Sequence, residues 1–544
     1  MLKSLIRCSL LFLTVACTRP EAGPVQLRIL SFNDFHGNIQ AADPSPGRLP
    51  IPVNGKTEML ETGGAAYLAT LIAQEKSGHP NTIVVSAGDL TGASPLVSAL
   101  LKDEPTINVM NRVGLDINVV GNHEFDYGAK ELLRKKSGEG DFKGAAFDYL
   151  AANVVATDTG EPLFPPYVVR SFGGVKVGFV GVVTAETPTI VAAAGVKGLR
   201  FAGPLETLNH YAAELRAAGV EAIVAVMHEG ASVPADIAQD GAPCQGMVGA
   251  LTDIVAKADP AIDLFITGHT HQAYACRLDG RLVTQTASYG RMLSVIDLTI
   301  TNGDVVAAAV QNKPVTRDLA PNQQIEAEVK AAEAKTAPIR ALPVGTLASA
   351  LPRKPDANGE SVLGDVIADA QLAAGRQMGA VIAFMNPGGI RQDLPSNSEA
   401  GLTVSLGDLF AVQPFGNNLV AMDLTGRQIH TLLEQQWLDQ PADRKPRMLQ
   451  VSDGFSYCYD DRRTEGDKIL VETILLDGKT IDPDRRYRVV VNSFLADGGD
   501  RFVVLKEGGN RQQGDSDLNA FKDYAARNAG HLPAVSQGRL CRKG

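Results

Sequence analysis

Gly121-Asn122-His123-Glu124-Phe125-Asp126 is the stretch on which the reading of this chain turns. It follows an apolar run, Ile117 to Val120, so its Asn, His and Asp fall on a loop just past a strand end, where open α/β sheets place their chemistry. Alone, six such residues read as a polar turn. Other strand-like runs, however, end the same way. Val25 to Phe32 alternates as a strand and runs into Asn33-Asp34-Phe35-His36-Gly37, and Thr82 to Ser86 ends in Ala87-Gly88-Asp89. Ala222 to Met227 ends in His228-Glu229-Gly230, and Ile262 to Thr267 in Gly268-His269-Thr270-His271.

Helical patterns separate these runs: from Gly63-Gly64 through Ala65, Leu68, Leu71 and Ile72, near 95–112, and at Leu205 to Ala218. Further strands are expected at Ala152 to Val155 and Val175 to Val183. Strands that alternate with helices and carry polar residues at their ends define a layered α/β domain, placed at 25–318. Residues 40–60, polar and Pro-rich, are expected to be a surface loop. Residues 319–340 are assigned to a linker; the stretch 322–338, rich in Ala, Glu and Lys, predicts an exposed helix there. A second α/β domain follows at 341–544, with strands at Val381 to Met385 and Tyr487 to Val491 and helices at Ser361 to Ala374 and Gly426 to Trp437. A chain of 544 residues exceeds one ordinary core, which agrees with two domains.

A net charge of −10 leaves no basic footprint for nucleic acid, so an anionic substrate needs a local site to attract it. Lys3 and Arg7 precede the apolar run Leu10 to Val15 and Ala16, which reads as an export signal over residues 1–17, with 18–24 as a tether. Leu13-Thr14-Val15-Ala16-Cys17 resembles a bacterial lipoprotein processing site with the Cys17 thiol as lipid acceptor, although Thr14 departs from the usual aliphatic residue. The expected location is the periplasm or cell envelope, with attachment to the outer membrane if Cys17 is lipidated; ordinary cleavage would leave a soluble periplasmic protein. No later apolar stretch approaches the roughly 20 residues needed to span a bilayer. In an exported chain Cys244, Cys276, Cys458 and Cys541 permit three pairings or four buried free thiols; pairing Cys244 with Cys276 and Cys458 with Cys541 keeps each bridge inside one domain.

Of nine histidines, His36, His123, His228, His269 and His271 fall in the strand-end motifs. A single loop histidine is usually a surface or hydrogen-bonding residue. The joint set of Asp34, His36, Asp89, Asn122, His123, His228, His269 and His271 is a different matter, because imidazole with carboxylate suits divalent Zn, Mn or Fe. Two metals about 3.5–4 Å apart need a shared ligand and can activate water while neutralising a phosphoryl group, and Asp89, with two oxygens, can bridge them. Asp34 and His36 alternate along an extended segment, as do His269 and His271, so each pair is expected to chelate from one side.

This set resembles the calcineurin-like metallophosphoesterases. With its C-terminal half, the chain is similar to the secreted bacterial 5′-nucleotidase and UDP-sugar hydrolase family, over nearly all of its mature length. The resemblance implies a four-layer α-β-β-α sandwich for the first domain. It assigns Asp34, His36, Asp89 and His271 to one metal and Asp89, Asn122, His228 and His269 to the other. His123 would then stabilise the transition state or the leaving oxygen, oriented by Asp126, because a free imidazole beside a carboxylate keeps its proton.

In the C-terminal half Asn386-Pro387-Gly388-Gly389-Ile390-Arg391, Pro414-Phe415-Gly416-Asn417 and the segment from Asn492 to Asp500 resemble the family's nucleotide-binding motifs. By that likeness a nucleobase stacks between Phe415 and Phe494, Arg391 holds a phosphate or a carboxylate-like edge of the substrate, Asp500 accepts from ribose hydroxyls, and Asn386 joins them at the substrate. Taken singly, Phe415 and Phe494 read as core residues and Gly388-Gly389 as a turn. The family's additional Arg before a Gly-x-x-x-x-Asp helix start, here Gly364 to Asp369, has no close counterpart, which leaves Arg353 in question.

The expected activity is hydrolysis of nucleoside 5′-monophosphates, UDP-sugars or cyclic nucleotides by a monomer, with the domains swinging to carry substrate to the metals. Two rivals are a related dinuclear hydrolase of a non-nucleotide ester, such as the sulfur-oxidation thiohydrolases, and a non-catalytic surface nucleotide-binding protein. Glu124 and Phe125 receive no chemical role.

Overall fold

Near-continuous apolar strands are those covered on both faces. In a computed structural model, which describes residues 23–41, 48–53, 56–234, 241–395, 402–438, 446–527, 531–532 and 538–543, they stack as two six-stranded sheets. The export signal, Cys17 and most of the tether lie outside the described residues. One sheet runs, in spatial order, through Asp304–Pro314, Met292–Thr301, Val25–Phe32, Thr82–Ser86, Ile117–Val119 and Asp148–Leu150. The other runs through Ala273–Leu278, Arg281–Thr286, Ile262–Thr267, Ala222–His228, Val175–Val183 and Tyr167–Phe172.

Ile29, Val85, Ile117 and Val119 meet Phe179, Val224, Val226 and Leu264 in the core between the sheets. Helices Ala65–Lys76 and Glu104–Val113 cover the outer face of the first sheet, with Leu68, Ile72 and Met110 against Leu30, Val84 and Tyr149. Pro204–Ala217 and Ala250–Lys257 cover the second, with Leu208, Leu215 and Val255 against Val180, Ile223 and Phe265. The layers are therefore helix, sheet, sheet, helix.

The C-terminal half centres on a five-stranded mixed sheet in the order Gln450–Val451, Ile382–Met385, Arg486–Asn492, Asn418–Thr425 and Gly509–Ser516. The helix Val362–Gly375 packs on it together with Asp517–Arg527, and Gly426–Glu434 adds Ile429, Leu432 and Leu433 to a separate core with Phe384 and Val489. Both expected disulfides are present, Cys244 with Cys276 and Cys458 with Cys541, the latter bridging directly paired strands.

Several expectations need correction. Within the expected loop, Arg48–Val53 and Lys56–Glu61 are strands that pair antiparallel, with Leu49 opposite Leu60. The region 95–112 is two helices, Leu96–Ala99 and Glu104–Val113, because Lys102 and Asp103 adopt positive φ between them. The strand expected at 152–155 lies at Val154–Ala156 and is preceded by the edge strand Asp148–Leu150. The connecting helix, Gln323–Arg340, is not free in solvent. Ile325, Val329, Ala332 and Thr336 recur at helical spacing and are buried, the first three within the core of the N-terminal half, so the helix is a strut fixed to that half.

Candidate metal centre and substrate cleft

Parallel pairing brings the motif loops together. Val25–Phe32, Thr82–Ser86 and Ile117–Val119 run parallel in one sheet, and Val175–Val183, Ala222–His228 and Ile262–Thr267 run parallel in the other. Asp34, His36 and His271 gather in one cluster and Asp89, His228 and His269 in a second, the donor atoms of each lying within 4.8 Å of one another. Asp89 Oδ2 is 3.1 Å from His228 Nε2 and 3.6 Å from His36 Nε2, which puts it between the clusters as the bridging candidate. Asn122 Oδ1 stands 3.1 Å from His228 Nε2 and 3.0 Å from His269 Nδ1 and so joins the second cluster. Imidazole nitrogens converging with carboxylate and amide oxygens fit two divalent ions.

The clusters are braced from behind. His36 Nδ1 donates to the Gly92 carbonyl at 2.9 Å and His228 Nδ1 to the Ala87 carbonyl at 2.8 Å, which leaves each Nε2 turned toward the site. Asn33 Nδ2 donates to Asp34 Oδ2 at 2.6 Å, while its Oδ1 accepts from the Thr286 amide at 2.8 Å. Asp34, His36, Asp89, His269 and His271 all have positive φ, between 47° and 73°. Alternation along an extended segment is therefore not what aligns Asp34 with His36 or His269 with His271. Each is turned by a left-handed backbone, a strained conformation that persists where its surroundings over-determine it. At Gly121 only glycine fits, because a Cβ would stand 2.2 Å from Asp89 Oδ1.

Burial and neighbouring charge set the protonation. Burial would raise Asp34, yet His271 beside it holds the carboxyl down at about 2. Burial drives His36 well below the ordinary histidine value against the pull of Asp89. It would lower His228 too, but the Asp89 carboxylate 3.1 Å away pushes that imidazole up to about 10. The carboxylates that retain this proton are those that would attract a cation, and binding one would release it. His123 belongs to neither cluster. Its Nδ1 lies 3.0 Å from both oxygens of Asp126, and although burial lowers it, Asp126 and Asp89 hold it above the ordinary value.

The clusters open into a cleft of about 390 Å³ shared by Asp89, Asn122, His123, His269 and His271 with Asn386, Arg391, Phe415, Phe494 and Asp500. Asp34, His36 and His228 are fully buried or nearly so and do not line the cleft. Phe415 stacks on His123, with ring centroids 5.6 Å apart and planes 19° apart, and the Arg391 guanidinium lies 5.8 Å from the Phe415 ring. Asn386 Nδ2 donates to Asp500 Oδ2 at 2.8 Å and is itself anchored by Asn492 at 3.0 Å. Burial raises the Asp500 carboxyl, against Arg447 and the Asn386 hydrogen bond.

Arg353, left in question by its sequence position, lines this cleft. So do Tyr289, Glu186 and Arg447, which sequence reasoning missed because each comes from a loop without a motif. Glu124, read without a role, is buried beneath the centre, where an acid inside a ligand motif was itself a usable signal.

Fold and site together define a two-metal phosphoesterase sandwich joined to a second α/β unit. The family model described as calcineurin-like phosphoesterase matches residues 27–273, and that described as 5′-nucleotidase, C-terminal domain, matches residues 341–507. Cell wall protein Lmo0130 of Listeria monocytogenes is 34% identical over 570 residues, covering 94% of this chain and 69% of that protein. The chain belongs to the 5′-nucleotidase family of calcineurin-like phosphoesterases. Endonuclease YhcR of Bacillus subtilis is 32% identical over 95% of this chain, which spans only 41% of that longer protein. The crystal structure of a 5′-nucleotidase precursor from Thermus thermophilus superposes with a TM-score of 0.78 at 27% identity, covering 95% of this chain and 99% of the other.

Proposed function

We propose that this protein is an exported two-metal hydrolase that removes the phosphate from nucleoside 5′-monophosphates. The observation that carries the reading is one cleft joining the metal clusters and His123 to Asn386, Arg391, Phe415, Phe494 and Asp500. Divalent ions held by Asp34, His36, Asp89 and His271, and by Asp89, Asn122, His228 and His269, would supply the Lewis acidity that activates water and neutralises phosphoryl charge.

The chain's own groups do the rest. Asp126 fixes His123 through Nδ1 and keeps it protonated, so Nε2 can serve the leaving ribose oxygen. Phe415 lies face to face on the His123 ring and helps fix its orientation. Phe415 and Phe494 offer aromatic faces to a base, worth about 1–3 kcal/mol for stacking of any base, so base selectivity through them is low. Asp500, held by Asn386, accepts from the ribose, and Arg391 with Arg353 faces the phosphate. One relative is named an endonuclease, but the net charge of −10 favours a small nucleotide over a polymer here.

The decisive assay is phosphate release from AMP before and after chelation. Expected are loss on chelation, recovery with Zn²⁺ or Mn²⁺, and a kcat lowered by about 10²–10⁴-fold in His123→Ala. Activity that survives both treatments overturns the mechanism. Relatives named as a cell wall protein and as venom enzymes, with the two disulfides, support a place outside the cytoplasm. Residues 1–17 are read as the signal and Cys17 as the lipid acceptor. A palmitate label on the wild type that disappears in Cys17→Ser is the expected result, and no label on the wild type would leave a soluble exported enzyme.

A further inference from the structure

Glu124 sits in the centre of the decisive motif and is 1% exposed. Its carboxylate belongs to neither group of ligand atoms, nor does it face the cleft. Instead it accepts backbone N–H groups from two separate loops. Oε2 accepts from the Asp89 amide at 3.0 Å and from the Gly121 amide at 2.7 Å. Oε1 accepts from the Leu90 amide at 2.7 Å and the Thr91 amide at 3.3 Å. One side chain thus ties the Asp89 loop to the Asn122 loop. Between the same loops the His123 amide donates to Asp89 Oδ1 at 2.8 Å.

We propose that Glu124 is the positioning residue that builds the two-metal site, by clamping the loop of the bridging carboxylate Asp89 to the loop of Asn122 and His123. The inference rests on the metal-centre reading but not on the substrate. Its physics is that of two buried oxygen acceptors in a nest of backbone amides: each buried oxygen needs donors, and the backbone that supplies them cannot then shift. The need is acute at Asp89, whose φ of 50° lies in the left-handed region. It is equally acute at Gly121, whose Cα approaches Asp89 so closely that no side chain fits. A second prop meets the same loop at Thr91, where the buried Lys135 Nζ donates to Thr91 Oγ1 at 3.0 Å and pairs with Asp103 at 3.3 Å. Asp89 reaches both clusters, so loosening its loop weakens both metals together.

Glu124→Gln is the direct test, because an amide keeps the size but turns an NH₂ toward backbone donors. Calorimetric titration of chelator-stripped protein with Mn²⁺ should show affinity at both sites lowered by about 10–100-fold, the usual effect of removing an outer partner of a ligand. Saturating metal should restore kcat toward wild type, and Glu124→Asp should fall between the two. A folded Glu124→Gln protein, by circular dichroism, with wild-type affinity overturns the proposal. Should that variant fail to fold, hydrogen exchange on metal-free wild type decides: the amides of Asp89, Leu90, Thr91 and Gly121 should be protected without any ion, and free exchange there overturns the clamp. Wild-type protein that takes up no Mn²⁺ would instead defeat the metal-centre reading itself.

Discussion

Asp365, in the first turn of the helix Val362–Gly375, departs far from ordinary aspartate behaviour. Burial pushes its carboxyl up to about 9, with Glu360 adding like charge and Arg539 opposing. The folded state therefore favours the neutral acid. Its contribution to stability is complete below the ordinary value of 3.8 and is lost progressively as pH rises toward about 9. Asp365→Asn removes the ionisation while keeping the shape, so it should raise stability at pH 8 by about 1–3 kcal/mol, the worth of one to two pH units over which the unfolded carboxyl loses its proton and the folded one keeps it, and by less at pH 5. Urea unfolding at the two pH values checks this, and an equal shift at both would sink it. Such residues explain what was legible at this scale. The metal ligands could be read because Asp, His and Asn are the chemistry. Glu124, Arg447 and Asp365 act through neighbours that only folding supplies.

Among the elements, legibility followed how much each strand or helix owes to its own sequence. The central strands, largely apolar because two layers cover them, were found nearly residue for residue. The hairpins at 273–314 were missed although their turns, Asp279-Gly280 and Asn302-Gly303, carry the strongest short-range hairpin signal, with positive φ at every one of those residues. The strut helix was located, but its burial was not, since Ala-rich sequence reads as exposed until a partner face exists. Its start is capped by Asn322, whose Oδ1 accepts from the amides of Gln324 and Ile325 at 3.1 and 3.2 Å. Asn322→Ala should therefore destabilise the protein by about 1 kcal/mol. A denaturant midpoint unchanged in that variant would mean that packing of Ile325 and Val329 alone sets the helix start.

At the scale of the whole molecule, the cleft exists only because the two halves face each other. Phe415 of one half lies on His123 of the other, and Arg501 Nη2 pairs with Glu186 Oε1 at 2.7 Å across the same divide. Arg501 follows Asp500 directly, and both have positive φ, so the ion pair is coupled to the residue assigned to the ribose. Both partners are about one-quarter exposed, a setting in which such a pair contributes about 0–1 kcal/mol and weakens with salt. A contact that weak can hold the halves closed over substrate without trapping product, in keeping with polar domain interfaces that move. Replacing the pair by a covalent bond should expose this difference. In Glu186→Cys/Arg501→Cys, joining the two thiols with a short bis-methanethiosulfonate linker should slow steady-state AMP turnover at least about tenfold while leaving a single bound turnover intact, because closure is retained and release is blocked. Mild reduction should restore the rate, with wild type treated in parallel to show that the native Cys244–Cys276 and Cys458–Cys541 bridges are not what responds. A crosslinked variant that turns over at the wild-type rate would mean that substrate enters and product leaves without the halves separating, and the cleft would then have to be treated as a fixed channel.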